Sequence, residues 1–118
     1  TYTLEQVTVK VKDGVDMSRL NAETMHRALK AADVLYAATP QDLVVTSAAE
    51  GEPGDGVHMP SSKHYPANNA SGKGEAVDLR IWHVPNPRSL ASALQRMLGP
   101  TYDVVHESTH IHVEYDPS

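Results

Sequence analysis

His110, Ile111, His112, Val113, Glu114 and Tyr115 alternate polar and apolar, and in an extended strand successive side chains leave on opposite faces. His110, His112 and Glu114 therefore share one face, while Ile111 and Val113 mark the core side. Asp78 stands between Val77 and Leu79, which sends its carboxylate to the face opposite two apolar neighbours. His64 lies in the stretch that feeds this segment. An acid and two or three imidazoles converging on a sheet face form the ligand set of a catalytic zinc, which takes three protein ligands and keeps one position for water. Six of the seven histidines fall after residue 57, and this clustering is the first functional signal. His26, His83 and His106 are read as ordinary surface or hydrogen-bonded side chains.

These groups need a scaffold. Val7, Val9 and Val11 alternate with Thr8, Lys10 and Lys12, predicting a half-buried strand over 7–12. After Asn21, a suitable cap, the apolar positions Met25, Ala28, Leu29, Ala32, Leu35 and Tyr36 recur at helical steps, predicting an amphipathic helix that stops before Pro40. Leu43 to Thr46 is a short β-branched run, read as a buried strand. Residues 48–74 hold five of the seven glycines and three of the eight prolines, a composition that sustains no regular element for long and, at this length, is usually functional or mobile. Strands follow over 76–81, 102–107 and 110–115, the last two joined by a tight turn near Ser108 and Thr109. Between them Asn86-Pro87 opens a second helix, with Leu90, Leu94, Met97 and Leu98 on one face, and Gly99-Pro100 closes it. The order predicts one domain over 1–118: an α+β fold with a small, largely antiparallel sheet, two helices on one face and the metal site on the other.

Composition narrows the functions open to such a fold. The chain has 118 residues, 40% hydrophobic and 21% charged, which suits one globular core rather than a disordered chain. There are no cysteines, so disulfides, thiolate zinc fingers, iron-sulfur clusters and cysteine nucleophiles are excluded. Net charge is -5 with no lysine or arginine run, which leaves a nucleic-acid backbone no electrostatic footprint. No apolar stretch approaches the roughly 18 residues of a membrane span, and residues 1–12 alternate rather than forming a secretory apolar core. We expect a monomer with neither nucleic-acid nor membrane partners.

Two segments resemble a known family. Ser62-Lys63-His64-Tyr65 followed by Gly74-Glu75-Ala76-Val77-Asp78-Leu79-Arg80 is similar to the His and Asp zinc-binding signature of the peptidases that cut bacterial cell-wall peptides. These are the D-Ala-D-Ala carboxypeptidases and dipeptidases and the phage L-Ala-D-Glu endolysins, related to the signalling domain of Hedgehog proteins. Glu107-Ser108-Thr109-His110-Ile111-His112 is similar to the family's closing strand. Order and spacing of the two halves fit, with a helix between them, and the likeness runs loosely from Val7 to Pro117.

The resemblance implies roles. His64, Asp78 and His112 would bind Zn2+, Glu107 would be the general base, and His110 would steady the oxyanion or the bound water. His58 matches a further site-lining histidine of the Hedgehog-like members. Glu50 and Asp55 resemble that domain's calcium ligands, with Asp13 or Asp16 as partners, and flexible oxygen-rich loops suit Ca2+. The implied activity is zinc-dependent hydrolysis of peptidoglycan stem peptides next to a D-amino acid, acting at the cell wall. The alternative is a Hedgehog-like metal-binding interaction module without turnover. Two departures stand out. His64 and Asp78 are 14 residues apart, twice the family's usual interval, and the excess within Pro66 to Lys73 reads as a flexible insertion bulging from the site. Closing a somewhat longer loop is inexpensive, about 0.6 kcal/mol per doubling of length. Where many carboxypeptidases carry a substrate arginine, this chain has Thr46-Ser47-Ala48-Ala49, which leaves cleavage specificity open.

Overall fold

A computed structural model describes residues 1–4 and 7–117. Its strands are β1 (Tyr2–Leu4), β2 (Val7–Val11), β3 (Val44–Ser47), β4 (Ala76–Arg80), β5 (Tyr102–His106) and β6 (His110–Tyr115), and its helices are α1 (Ala22–Tyr36) and α2 (Pro87–Leu98). They form one six-stranded sheet in the order β1-β2-β3-β4-β6-β5. The α+β architecture expected from the sequence is present, with strand ends differing by about one residue.

Both helices start where side chains can satisfy their first amide groups. The Oδ1 of Asn21 accepts from the Thr24 amide at 3.4 Å, and that of Asn86 accepts from the Ser89 amide at 3.1 Å, ahead of Pro87 at the first helical position. Gly99, at φ 79°, ends α2 in a conformation that a side chain would disfavour. The helices bury Met25, Ala28, Leu29, Ala32 and Tyr36 from α1 and Leu90, Ala91, Leu94 and Leu98 from α2. These join Val77, Leu79, Ile111 and Val113 of β4 and β6 in a single hydrophobic cluster, so the core lies on the helix-bearing side of the sheet.

Two features differ from the sequence reading. β1 is an additional strand, paired antiparallel with β2; three residues are too short a run for alternation to reveal. The sheet is also mixed, because β2 and β3 pair in parallel while the remaining neighbours run antiparallel. Parallel neighbours need a long crossover, and α1 supplies it.

The register of β4 against β6 does most to build a site. Asp78 lies opposite His112, Arg80 opposite His110 and Ala76 opposite Glu114. Because side chains alternate, the polar members of these pairs stand on the face away from the helices. Ile111 is fully buried directly behind them. Ile111→Ala should therefore lower stability by about 2–5 kcal/mol through lost burial and a residual cavity, read as a lower denaturant midpoint at unchanged slope, whereas Val34→Ala on the exposed side of α1 should stay within about 0.5 kcal/mol of the parent.

Candidate metal centre

His64 is fixed from behind. It is buried at 3% exposure, and its Nδ1 lies 2.6 Å from the carbonyl oxygen of Ala48. A carbonyl only accepts, so Nδ1 carries the hydrogen, and a ring with a single proton presents a bare Nε2 on its other side. The backbone approach that makes this contact possible depends on Gly74. A Cβ there would lie 2.6 Å from the Ala49 Cβ and 2.9 Å from the His64 carbonyl. The Gly74 amide donates to the Arg19 carbonyl and its own carbonyl accepts from the Asn21 amide. Ahead of Gly74, residues 66–73 fold back on themselves around the short 3-10 turn Pro66–Asn68. Buried Asn69 closes this segment by donating from Nδ2 to the carbonyls of Lys63 and Lys73, each at 2.8 Å. The insertion is thus pinned at its base rather than loose.

The bare Nε2 of His64 faces Oδ1 of Asp78 at 3.3 Å, an arrangement of two acceptors that calls for a cation between them. Oδ1 of Asp78 also meets Nδ1 of His112 at 2.8 Å, while Nε2 of His112 reaches Oε1 of Glu114 at 2.8 Å. Burial alone would raise the Asp78 pKa, but the bond from His112 and the adjacent His64 imidazole override it and hold the carboxyl far below its usual range. Burial likewise opposes charge on His112, and the bonds to Asp78 and Glu114 reverse this and lift its pKa to about 9. Glu114 therefore orients the outer nitrogen and leaves Nδ1 to the centre, the outer-shell pattern of metal-binding histidines. Ligand atoms of His64, Asp78 and His112 all lie within 4.8 Å of one another, the one such group of three among the described residues. This group could hold a metal ion, and its two nitrogens and one oxygen suit a divalent transition metal.

Other expected residues are distributed unevenly. His110 is at the centre, its Nε2 3.6 Å from Oδ1 of Asp78 and its Nδ1 2.9 Å from the Thr109 hydroxyl. His58 is there too, stacked on His64 with ring centroids 4.2 Å apart. The Tyr65 hydroxyl accepts from the His58 amide at 2.7 Å and donates to Oδ1 of Asp55 at 2.7 Å, which clamps the loop carrying His58. Burial and the neighbouring His64 depress the His58 pKa. Its Nε2 points at Oε2 of Glu50 at 3.2 Å; a carboxylate accepts, so Nδ1 is left as the acceptor. Glu107 is different. It is exposed, sits in the turn after β5 with its amide bonded to the His110 carbonyl, and does not line the cleft that contains the other groups.

The residues expected to hold calcium do not gather into a ligand set. Glu50 accepts from the amides of Ala48 and Asp16, from the Ser47 hydroxyl and from His58, so it organises a loop and orients an imidazole. Asp55 accepts from the Tyr65 hydroxyl and the amides of Glu52 and Val57. Asp13 is exposed. Asp16 is bound to Arg19, whose Nε donates to Oδ2 at 2.8 Å. The same guanidinium reaches Glu52 at 2.9 Å and the carbonyls of Ala49 and Gly51 at 2.7 and 3.1 Å. The acidic loop already contains its cation. The roles of Glu114 and Glu50 escaped the sequence reading, although Glu114 shares the period-2 face of His112 and was detectable on that ground.

Together these side chains form one wall of an open cleft of about 910 Å³, whose other side is the 56–63 segment. No family model, no curated protein and no solved structure matches the chain.

Two outcomes follow from this geometry. Zinc titrated into metal-free protein should bind at about one per chain, and His64→Ala or Asp78→Ala should weaken binding by 100-fold or more, on the order of the 3–5 kcal/mol lost on breaking a buried charged cluster, as read by competition with a chelator. The metal-free protein should also report His112. Its folded pKa lies above the ordinary value of 6.5, so its contribution is complete below that pH and disappears as pH rises toward about 9. Thermal melts of metal-free protein should fall over this window, and Glu114→Gln should flatten the fall.

Proposed function

We propose that this chain is a zinc-dependent peptidase that hydrolyses peptidoglycan stem peptides next to a D-amino acid, of the D-Ala-D-Ala carboxypeptidase or L-Ala-D-Glu endopeptidase type. The observation that carries the reading is the bare Nε2 of His64 aimed at Oδ1 of Asp78, beside Nδ1 of His112, in the wall of an open cleft. A closed structural site has four protein ligands, whereas three facing a cleft suit a centre that admits water and substrate. The His and Asp motif and the His-x-His strand support the same substrate class by resemblance.

When bound, zinc supplies a Lewis acid for the scissile carbonyl and lowers the pKa of a coordinated water to roughly 7. The remaining work falls to the chain. Ala48 and Glu114 hold the two ligand imidazoles in the tautomers the centre needs. Glu50 holds Nε2–H of His58, and Nδ1 of His58 takes the proton from the attacking water and returns it to the leaving amine. His110, beside Asp78, donates from Nε2 to the developing oxyanion. Glu107 has no part in this scheme because it lies outside the cleft.

One observation favours a second reading, a Hedgehog-like metal-binding interaction module. The carboxylate that the resemblance assigns as general base, Glu107, is exposed and away from the cleft. Zinc-loaded protein incubated with a panel of wall peptides separates the two by mass spectrometry of products. The peptidase reading expects release of a D-amino acid or a stem peptide, a loss of about 100-fold or more in kcat for His58→Ala with zinc retained, and Glu107→Ala within a few-fold of the parent. Abolition by Glu107→Ala would make that carboxylate the base. Zinc binding with no product from any peptide would establish the interaction module.

A further inference from the structure

The rung of the β4/β6 ladder next to the metal group carries charge of the opposite sign. Asp78 faces His112, and two residues along Arg80 faces His110, so the guanidinium stands on the same face about 6.7 Å farther along the strand. It is one wall of a second, smaller cavity of about 210 Å³ that shares Asp78 and His110 with the metal cleft and adds Lys12, Thr46, Ser47 and Trp82. The Arg80 guanidinium carbon lies 3.7 Å from the centroid of the Trp82 ring, and Trp82 is itself 69% exposed. Buried Nε of Arg80 has no hydrogen-bond partner. Among the described residues, neither Arg80 nor Lys12 has a carboxylate partner. Arg80 and Lys12 line this cavity with no ion pair of their own among those residues, and the one carboxylate in its lining, Asp78, is engaged by imidazoles.

We infer that this cavity is a carboxylate-binding subsite, in which Arg80 and Lys12 hold the carboxylate of a small residue on the leaving side of the scissile bond. The inference rests on the peptidase reading for the word scissile, but the cavity and its cations stand without it. Guanidinium matches a carboxylate in a bidentate fork, and the Trp82 ring fixes the plane of that fork before the ligand arrives. The spacing suits the purpose. With the carbonyl at the Asp78 rung, a carboxylate one residue farther along an extended peptide lies about 3.3 Å on, halfway toward the Arg80 rung. A volume of about 210 Å³ admits one residue of alanine size and not a continuing chain of bulky side chains. The backbone under Arg80 is held independently of its side chain, since the Tyr36 hydroxyl donates to the Arg80 carbonyl at 3.0 Å, so changing the side chain leaves the strand in place.

The test compares zinc-loaded parent, Arg80→Gln, Lys12→Gln and Trp82→Ala on three peptides: one ending in D-alanine with a free carboxylate, the same peptide as its carboxamide, and one whose only carboxylate near the cut is the internal α-carboxylate of a γ-linked D-glutamate. The expected result is a KM about tenfold or more higher for the carboxamide than for the acid in the parent, and the same loss on the acid in Arg80→Gln, with zinc content and melting temperature unchanged. Dependence on Arg80 confined to the D-glutamate peptide would keep the subsite and assign it the internal carboxylate. Equal turnover of all three by the parent, or an unchanged KM in Arg80→Gln, would overturn it. A binding arm separates this failure from that of the peptidase reading. N-acetyl-D-alanine titrated into the parent should shift the Trp82 indole N–H signal in NMR spectra, and Arg80→Gln should abolish the shift. That result with no peptide cleaved would sink the peptidase and retain the subsite; no shift with no turnover would sink both.

Discussion

The Oδ1 atom of Asp78 is approached by His64, His110 and His112 at 3.3, 3.6 and 2.8 Å, and much of the molecule exists to hold that crowd together. A carboxylate on a half-buried sheet face is unfavourable on its own, because desolvation disfavours its charge. It is held here by imidazoles that arrive from two directions. β6 delivers two imidazoles through strand register alone. The third comes from a long loop whose course is fixed by backbone contacts, the capture of Nδ1 by Ala48 and the tight passage of Gly74 beside Ala49. A shift of one residue in the β4/β6 pairing would exchange the imidazoles for Ile111 and Val113 and leave the carboxylate facing apolar surface.

The division between strand and loop explains what could be read from the sequence. Alternation has a period of two and acts locally, so the shared face of His110, His112 and Glu114, and the outward Asp78, followed directly from residue order. The helices were equally legible because Asn21 and Asn86-Pro87 mark their starts with side chains. The loop residues were not legible in this way. That His64 leans on the Ala48 carbonyl is a side-chain-to-backbone contact between positions 16 apart, which no residue type announces. Glu50 and Asp55 have the composition of cation ligands, yet their oxygens are occupied by amides, hydroxyls and an imidazole that only the folded loop supplies. Glu107 shows the reverse. It stands at a motif position, but the turn after β5 leaves it exposed.

The same sheet face separates two tasks by a single step along the strand. At one rung, ligand atoms converge; at the next, the Arg80 guanidinium lies over the Trp82 ring, with Lys12 lining the same cavity from beyond β2. Neighbouring charges of opposite sign normally pair and cancel. Here the imidazoles engage Asp78, and the guanidinium rests on Trp82. Separation of this kind would let one rigid β-ladder fix both position and orientation of a bound ligand, with precision that loop-borne groups rarely reach.

Arg19 gives the acidic loop a property that dissolved ions do not. A guanidinium tethered to the chain cannot be diluted, chelated or exchanged, so the segment from Ala49 to Glu52 keeps its shape at any ambient calcium level. Ion removal by a chelator would then act on the histidine-aspartate centre alone, leaving the clamp around His58 standing. An arrangement of this kind separates the order of the loop from the supply of any ion that the histidine-aspartate group could hold.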